Sequence, residues 1–588
     1  MTSKSTSVFL LLITLLAFSL PIFEAGFYFD DSGHSVLDAR RELQGKSRQT
    51  YALETLDYMV SQQGRPAVTW SLALLPLQTA IGDNLVIYRL LHFASWVAAL
   101  GSILALFRQL SGAARGLLPL ILLLALTQFR NWHDGVLSYF LFVPILLTTG
   151  AWTVIFWCRG LGQTGNTCAW LLAPLAYTLG LISCNEFMLT FFPVVCALAL
   201  LEPFPWKTKL SKSLPLILIT IGYLALSFWL KSRPTITYWG VGPGAIRAIP
   251  KTYLIQFLSV FPFSCATFNP NGFMTNWWHD VSLPELCVAL IGGIGAGALA
   301  CLRFADCIGP NKIGRRRLLF AGAVLLFGPP LFTAISLKYQ TELRWGWGYL
   351  QVSLQSVGLV FLLASLLGWL GEATARYTKQ ARLLPLLVAG ATGLVFFGHS
   401  IFNQRIVSRL NDYTRTPREL CRTILEHYSF REKGAKPVRL VIDAPWLNAW
   451  EVYEFFYYHA KQNFTITRWA DFANAQSSAG KEGNDPTDLY YMACPIQLSP
   501  DDGGVIVFGR LTSGAPSPDG HPRWNLDNVM LATRSRNEVQ YRALSGGAES
   551  AMTCIYRSVG LGVSPCSLYF YAPSVPLEGI TAAVLPPK

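Results

Sequence analysis

The sequence predicts a mostly α-helical, polytopic transmembrane bundle of about eleven spans, followed by a C-terminal α/β domain outside the bilayer. Three observations predict it. The chain has 588 residues, of which 52% are hydrophobic and only 14% charged, whereas an ordinary soluble protein carries about 25% charged residues. Uncharged apolar runs close to the ~20 residues that cross a hydrocarbon core recur as far as residue 402. Beyond that point the sequence turns to mixed polar composition with Pro, Gly and Asp-rich turns.

The first run, Val8–Ile22, follows a lone Lys4 and has the shape of a signal peptide. The Phe23–Gly26 segment lacks a small residue three positions before a cleavage point, so an uncleaved anchor is the reading. Further spans are expected near Tyr88–Phe107, Leu117–Gln128, Leu137–Trp157, Trp170–Ser183, Phe187–Leu201, Leu214–Leu230, Leu283–Cys301, Leu318–Leu337, Tyr349–Leu370 and Leu383–Phe402. Short cytoplasmic loops collect Lys and Arg. With the N-terminus cytoplasmic and the spans alternating, the inside loops hold Arg108 and Arg115, then Arg159, then Lys207, Lys209 and Lys212. They go on to hold Arg303, Lys312, Arg315, Arg316 and Arg317, and finally Arg376, Lys379 and Arg382. The outer face then receives a loop at 26–84, the Lys231–Pro284 region and everything after Phe402. Two marginal apolar stretches, Pro66–Leu77 and Tyr253–Phe268, are placed in the interface, because a crossing by either would move basic clusters outside. This gives a membrane domain at 1–402 and an extracytoplasmic domain at 403–588.

The formal net charge of +13 is carried mostly in those inter-span clusters rather than along one polar face. It reads as topology and not as nucleic-acid binding. Twelve Cys are scattered, with no CxxC and no metal-ligand spacing, which argues against a zinc or redox centre. In the C-terminal domain, Val438–Asp443 reads as a buried strand, Asn448–Gln462 as an aromatic-rich amphipathic helix and Phe464–Arg468 as a second strand, a βαβ-like start. Later strands are expected around Val505–Phe508, Cys554–Arg557 and Leu568–Tyr571, with loops at Asn474–Thr487 and Thr512–Asn525. Its Cys421, Cys494, Cys554 and Cys566 are read as one or two disulfides or as buried thiols, and Asn463–Thr465 has the form of a glycosylation acceptor.

Chemistry is expected at the outer ends of the helices. Asp30 and Asp31 follow the first span beside Phe27, Tyr28 and Phe29, where a carboxylate can take a proton from a hydroxyl within reach of a lipid headgroup. An ordinary acidic loop is the plain alternative. Arg65, in Gly64–Val68, carries a guanidinium fork suited to phosphate oxygens, or serves as an interfacial anchor. His92, in Tyr88–His92, reads as a core histidine. Two short turns bring His133, Asp134 and Glu186 to the same level, and a purely structural hairpin would favour Gly, Asn or Pro where Glu186 stands. Lys338, Tyr339 and Arg344 add groups on that side, as ligands or as interface anchors.

In pattern the chain resembles the GT-C superfamily of membrane glycosyltransferases. The shared features are Phe29-Asp30-Asp31, Arg65-Pro66, the Tyr-Arg-x-x-His stretch from Tyr88 to His92, and the turn Asn185-Glu186 before a helix interrupted by Pro193, in that order. The likeness covers about the first 200 residues; the later spans match by topology only and the C-terminal domain not at all. It implies transfer of a sugar from a polyprenyl-phosphate donor to a glycan, lipid or protein acceptor on the outer face of a membrane, such as the bacterial inner membrane. Asp30 or Asp31 would be the catalytic base, and Arg65, His133, Asp134, Glu186, Lys338 and Arg344 would line the substrate site. Many members carry Lys where this chain has Asn185, which shifts the neutralisation of the donor phosphate onto Arg65 or Arg344. Only some branches use a divalent cation, so the resemblance leaves that option open without naming a ligand. No nucleotide-binding loop is found, consistent with a donor that arrives already lipid-linked. The rival classes are a multi-span transporter or flippase, which would place its functional charges near the bilayer midplane, and a receptor whose membrane part only anchors it.

Overall fold

In the computed structural model, residues 3–415 are described apart from short stretches at 29, 113–115, 162–166, 234–243, 270–271, 280, 309–311 and 375–377. Beyond 415, the described residues are 418–419, 421–422, 425 and those of the helix and strands named below. Two units divide the chain: Met1–Asp31 with Lys46–Ser408, and Ser32–Gly45 with Arg409–Lys588.

The first unit is helical. Nine of its helices among the described residues are long and apolar enough to cross a membrane: Ser5–Glu24, Leu85–Ser111, Phe142–Leu161, Cys168–Leu201, Trp206–Lys231, Leu283–Arg303, Lys312–Ala334, Val352–Thr374 and Leu383–Leu410. Their ends carry ordinary helix chemistry. Asn84 caps Leu85–Ser111 by accepting from the Ile87 amide at 3.2 Å, and Ser282 with Glu285 forms a capping box on Leu283–Arg303.

The difference from eleven spans has two causes. The segment Cys168–Leu201 counts once by length, yet a 3₁₀ turn at Asn185–Thr190 breaks it, with Asn185 in the left-handed region at φ 50°. Met188 packs directly on Gly180, a contact a straight helix forbids because eight residues would separate them by about 12 Å. The expected span at Leu117–Gln128 is a ten-residue helix, Leu117–Leu126, with eight buried residues. A helix apolar all round is one sheathed by protein, and this one packs against Leu85–Ser111, Leu283–Arg303 and Val352–Thr374.

Neither marginal stretch is long enough to cross. The first forms Trp70–Leu74 and Leu75–Ile81, the second Ile249–Leu258 and Ser264–Thr267. In the second, Gln256, Ser259 and Ser264 are buried, and Gln256 donates to Gln355 Oε1 at 2.9 Å. Its polar groups thus face protein rather than water. Small residues allow the long helices to close on one another: a Cβ on Gly322 would sit 2.8 Å from the Gly358 carbonyl, and one on Gly293 2.9 Å from that of Gly393.

The second unit is built on an eight-stranded mixed sheet: β1 (Val438–Asp443), β2 (Phe464–Arg468), β3 (Leu489–Ala493), β4 (Val505–Ser513), β5 (Arg523–Ser535), β6 (Glu538–Ala543), β7 (Met552–Arg557) and β8 (Ser567–Tyr571). The order is β2-β1-β3-β4-β5-β7-β8, with β6 also on β5. β1 lies parallel to both β2 and β3, and the remaining pairs are antiparallel. The helix Val452–Ala460 joins β1 to β2 as the βαβ start requires. Ser32–Gly45, in the loop after the first span, packs in this unit: Arg40 pairs with Glu454 at 2.7 Å, and Arg418 donates to Ser32 O and Ser35 Oγ at 2.9 and 2.5 Å. Within the expected loop Thr512–Asn525, both ends are strand, in β4 and β5. The loop at Asn474–Thr487, Asn463, Cys494 and Cys566 lie outside the described residues.

Candidate functional site

The two adjacent aspartates part company. Asp31 is buried, with Tyr88 donating to Oδ2 at 2.5 Å and the Phe140 amide and Gln78 Nε2 donating to Oδ1 at 3.3 and 3.4 Å. Asp30 is exposed, and its charge acts on His133, Tyr139 and Glu342. One carboxylate holds the loop, and the other faces the polar cluster.

The Tyr-Arg-x-x-His stretch explains how the loop is held. Tyr88, Arg89 and His92 lie on the buried side of the Leu85–Ser111 helix, where residues one turn apart stack. Tyr88 grips Asp31. The guanidinium of Arg89, 1% exposed, donates to the carbonyls of Ala25 at 3.0 Å and Leu137 at 2.8 Å, and also to that of Gly26. His92 donates from Nε2 to Val136 O at 2.8 Å, which makes it the core histidine its setting implies. Three side chains of one helix therefore tie together the two loops that carry Asp30 and His133.

The loop between Leu126 and Phe142 is fixed from inside as well. Asp134 is buried, its Oδ1 accepting from the amides of Val136 and Leu137 at 2.7 and 2.9 Å and its Oδ2 from that of Arg130 at 2.8 Å. Burial raises its carboxyl above the usual range, opposed by the Arg130 charge and by these amides. Arg130 reaches Ser259 O at 2.7 Å and Gln128 O at 3.0 Å, and Asn403 accepts the Phe129 amide at 2.7 Å. Against this anchoring the backbone holds strained positions: His133, Tyr139 and Leu141 have φ of 44°, 60° and 61°. Such conformations persist only where the surroundings over-determine them.

His133 and Tyr139 meet side chain to side chain, the hydroxyl on Nδ1. The Tyr349 ring lies 5.5 Å from that of His133, centroid to centroid. Rings enclose the group: Trp132 lies 4.2 Å from His133 and 5.6 Å from Trp347, and Tyr339 lies 4.4 Å from Tyr349, centroid to centroid. Burial lowers the His133 imidazole to about 4, with Lys338 pushing the same way and Asp30 opposing, so the ring is neutral at physiological pH. Burial raises the Tyr139 and Tyr349 hydroxyls above their usual range.

Glu186 stands in the 3₁₀ turn with Arg65 Nη2 at 3.6 Å from Oε1, both side chains partly exposed. Lys231 also acts on Glu186, and both Arg65 and Lys338 act on the Tyr349 hydroxyl. Phe187, next to Glu186, lies 6.2 Å from the Tyr349 ring. Lys338 is 4.0 Å from Glu342. Arg344 is exposed and lies over the Trp347 ring at 5.0 Å.

The structure thus gathers Asp30, His133, Lys338, Arg65 and Glu186 around Tyr349. Asp31 and Asp134 lie buried beneath them, and Arg344 sits at the rim on an aromatic face. Among the described residues no group of three or more His, Cys, Asp or Glu is arranged to hold a metal ion. The residues missed by sequence reasoning are Trp132, Tyr139, Trp347 and Tyr349 as site walls and Gln78 beneath Asp31. In sequence they look like interfacial aromatics and a stray amide; the left-handed backbone that aims Tyr139 has no Gly or Asn to announce it.

No protein-family model matches the chain, and no curated protein is significantly similar to it in sequence. Among solved structures it is similar to the crystal structure of ArnT from Cupriavidus metallidurans bound to undecaprenyl phosphate, at 11% identity over 84% of this chain and 93% of that one, with a TM-score of 0.42. The apo form of the same protein gives 10% identity, 85% and 94% coverage and a TM-score of 0.39.

Proposed function

We propose that this chain is an integral-membrane glycosyltransferase that moves a sugar from a polyprenyl-phosphate donor to an acceptor hydroxyl on the outer, periplasmic side of a bacterial inner membrane. The single observation that supports this most is the division of labour around Tyr349: an exposed carboxylate, Asp30, and the cations Arg65 and Lys338 converge where the long apolar helices end. An acceptor oxygen attacks the anomeric carbon as Asp30 takes its proton. The bond from that carbon to the phosphate oxygen breaks, and Arg65 and Lys338 face the departing charge. Arg65 suits this role because its pair with Glu186, at 3.6 Å, is longer than the ~2.7–2.9 Å of a tight charge-assisted bond. A phosphate can exchange with the carboxylate there. Aromatic walls give a sugar ring apolar faces to stack on. The test is direct: purified protein incubated with a panel of polyprenyl-phosphate hexoses and pentoses should release the free carrier phosphate from at least one of them. Release from none of them by folded protein, with carrier and acceptor both present, removes the transferase reading.

A further inference from the structure

We propose that Trp132, Trp347 and Arg344 form a subsite for a saccharide bearing a carboxylate or phosphate, and that the acceptor is such an acidic saccharide, an inference that rests on the glycosyltransferase reading. The row starts at the polar cluster and runs outward. The Trp132 ring adjoins His133 and lies 5.6 Å from that of Trp347, tilted by 41°, so the two indoles make one bent wall. The Arg344 guanidinium lies over the Trp347 ring at 5.0 Å. Both indoles are half-buried, and Arg344 is exposed.

A tight turn builds the outer part of this row. The Trp347 amide donates to Arg344 O at 3.1 Å, and the third residue of that turn, Gly346, has φ of 79°, the position at which a type II turn calls for Gly. A Cβ on Gly346 would strike the Ser264 carbonyl, and Cys265 Sγ donates to the Gly346 carbonyl at 3.0 Å. Gly348, at φ 65°, lies against Ser259, whose Cβ an added Cβ would meet at 2.7 Å. Trp347 is thus clamped through its neighbours on both sides.

Two observations separate the row from a set of membrane-interface anchors. The Arg344 guanidinium has neither an ion pair nor a hydrogen bond among the described residues, and the nearby Glu342 lies 4.0 Å from Lys338. A guanidinium laid on an indole keeps its N–H edge for two parallel bonds to a carboxylate or phosphate. The indoles, moreover, stand on loops whose neighbouring residues His133, Gly346 and Gly348 are all left-handed, a fixed placement that an anchor floating at the interface does not need. An apolar wall beside a fixed donor fork fits a pyranose, whose C–H face packs on aromatic rings while an acid at its edge meets the fork. An anionic lipid headgroup would satisfy Arg344 but brings no ring to the wall.

The probes are cellobiouronic acid, cellobiose 6-phosphate and cellobiose, which differ at a single C6, titrated calorimetrically into the detergent-purified full chain without donor. At least one acidic disaccharide is expected to bind about tenfold or more tightly than cellobiose. Arg344→Gln should abolish that preference and leave cellobiose binding unchanged, Arg344→Lys should keep part of it, and Trp347→Leu should weaken all three by about 2- to 10-fold. Trp278→Ala, which removes an exposed indole whose ring contacts are Trp277 and His279, should change none. Acidic forms that bind no more tightly than cellobiose overturn the subsite, as does a preference that survives Arg344→Gln. Displacement of the bound acid by phosphatidylglycerol nanodiscs overturns it too, marking Arg344 as a lipid anchor. Equal kcat/KM for transfer to cellobiose and to its acids sinks the acceptor assignment. Acid-selective binding by a protein that releases no carrier phosphate from any lipid-linked sugar keeps the subsite and sinks the transferase reading instead.

Discussion

Two acids sit in short turns at the same end of the helical unit, and the contrast between them is instructive. Asp134 accepts three backbone amides within its own loop, whereas Glu186 faces Arg65 at 3.6 Å and the charge of Lys231. The physical difference is reach. An aspartate is short enough to bond the amides two and three residues ahead of it. In the 3₁₀ turn Asn185–Thr190, the longer glutamate reaches cations from other segments, Arg65 and Lys231. The pair Asp30 and Asp31 repeats the division without any difference in side chain: Asp31 falls beneath Tyr88 and Gln78, and Asp30 does not. Residue type alone does not separate an acid that shapes a site from one that works in it.

The sharpest way to break that contrast is to exchange the two aspartates' roles. Asp30→Asn is expected to lower kcat by about 10²- to 10⁴-fold while thermal unfolding in detergent stays at the wild-type temperature. Asp31→Asn should do the reverse, with a lower unfolding temperature and a smaller loss of kcat. Equal losses of kcat at folded protein would erase the distinction. Next comes Asp134→Ala, which strands three amides; at about 1–3 kcal/mol for each unsatisfied buried group, a loss of about 3 kcal/mol or more is expected in a reversible unfolding assay. Asp134→Ala protein as stable as wild type would show that water replaces the carboxylate. Smaller still is Arg65→Ala, which should raise KM for the lipid-linked donor by about tenfold, or about 1.4 kcal/mol. A matching rise for the soluble part of the acceptor instead would move Arg65 to the other substrate.

A last prediction concerns pH. His133 titrates near 4 in the folded chain, below the usual ~6.5 for histidine, so the unfolded chain takes a proton that the folded site refuses. Its contribution is therefore unchanged above about pH 6.5, falls as pH drops from 6.5 toward 4, and is fully lost below 4. The difference between the unfolding curves of wild type and His133→Gln should open across that window and be flat above it; a difference that grows above pH 7 contradicts a neutral buried ring.

Much of the first unit was legible because lipid demands long uncharged runs, and the C-terminal strands β1 and β2 match their expected bounds because each is a short apolar run beside turn residues. β3, β5 and β6 escaped notice: β3 is an apolar run of five residues, β5 loses its alternation after Asp527, and β6 alternates over only six residues. The packing of Ser32–Gly45 with the C-terminal sheet was equally hidden, since Arg40 and Glu454 are separated by more than 400 residues of chain. At the site, the acids and Arg65 stood out as charges at apolar borders. Tyr139 and Tyr349 did not, because an aromatic that lines a pocket and one that anchors an interface have the same sequence signature. Which of two neighbouring aspartates is exposed depends on Tyr88 and Gln78, and that is a matter of tertiary placement.

The ten-residue helix Leu117–Leu126 has a consequence for the loop that follows it. At about 1.5 Å per residue it climbs about 15 Å, half of a ~30 Å hydrocarbon layer, so it is too short to cross one alone. Irregular main chain beside a bilayer survives only where protein meets its polar groups. Asp134, Arg130, Asn403, Arg89 and His92 act there as a fixed substitute for hydration.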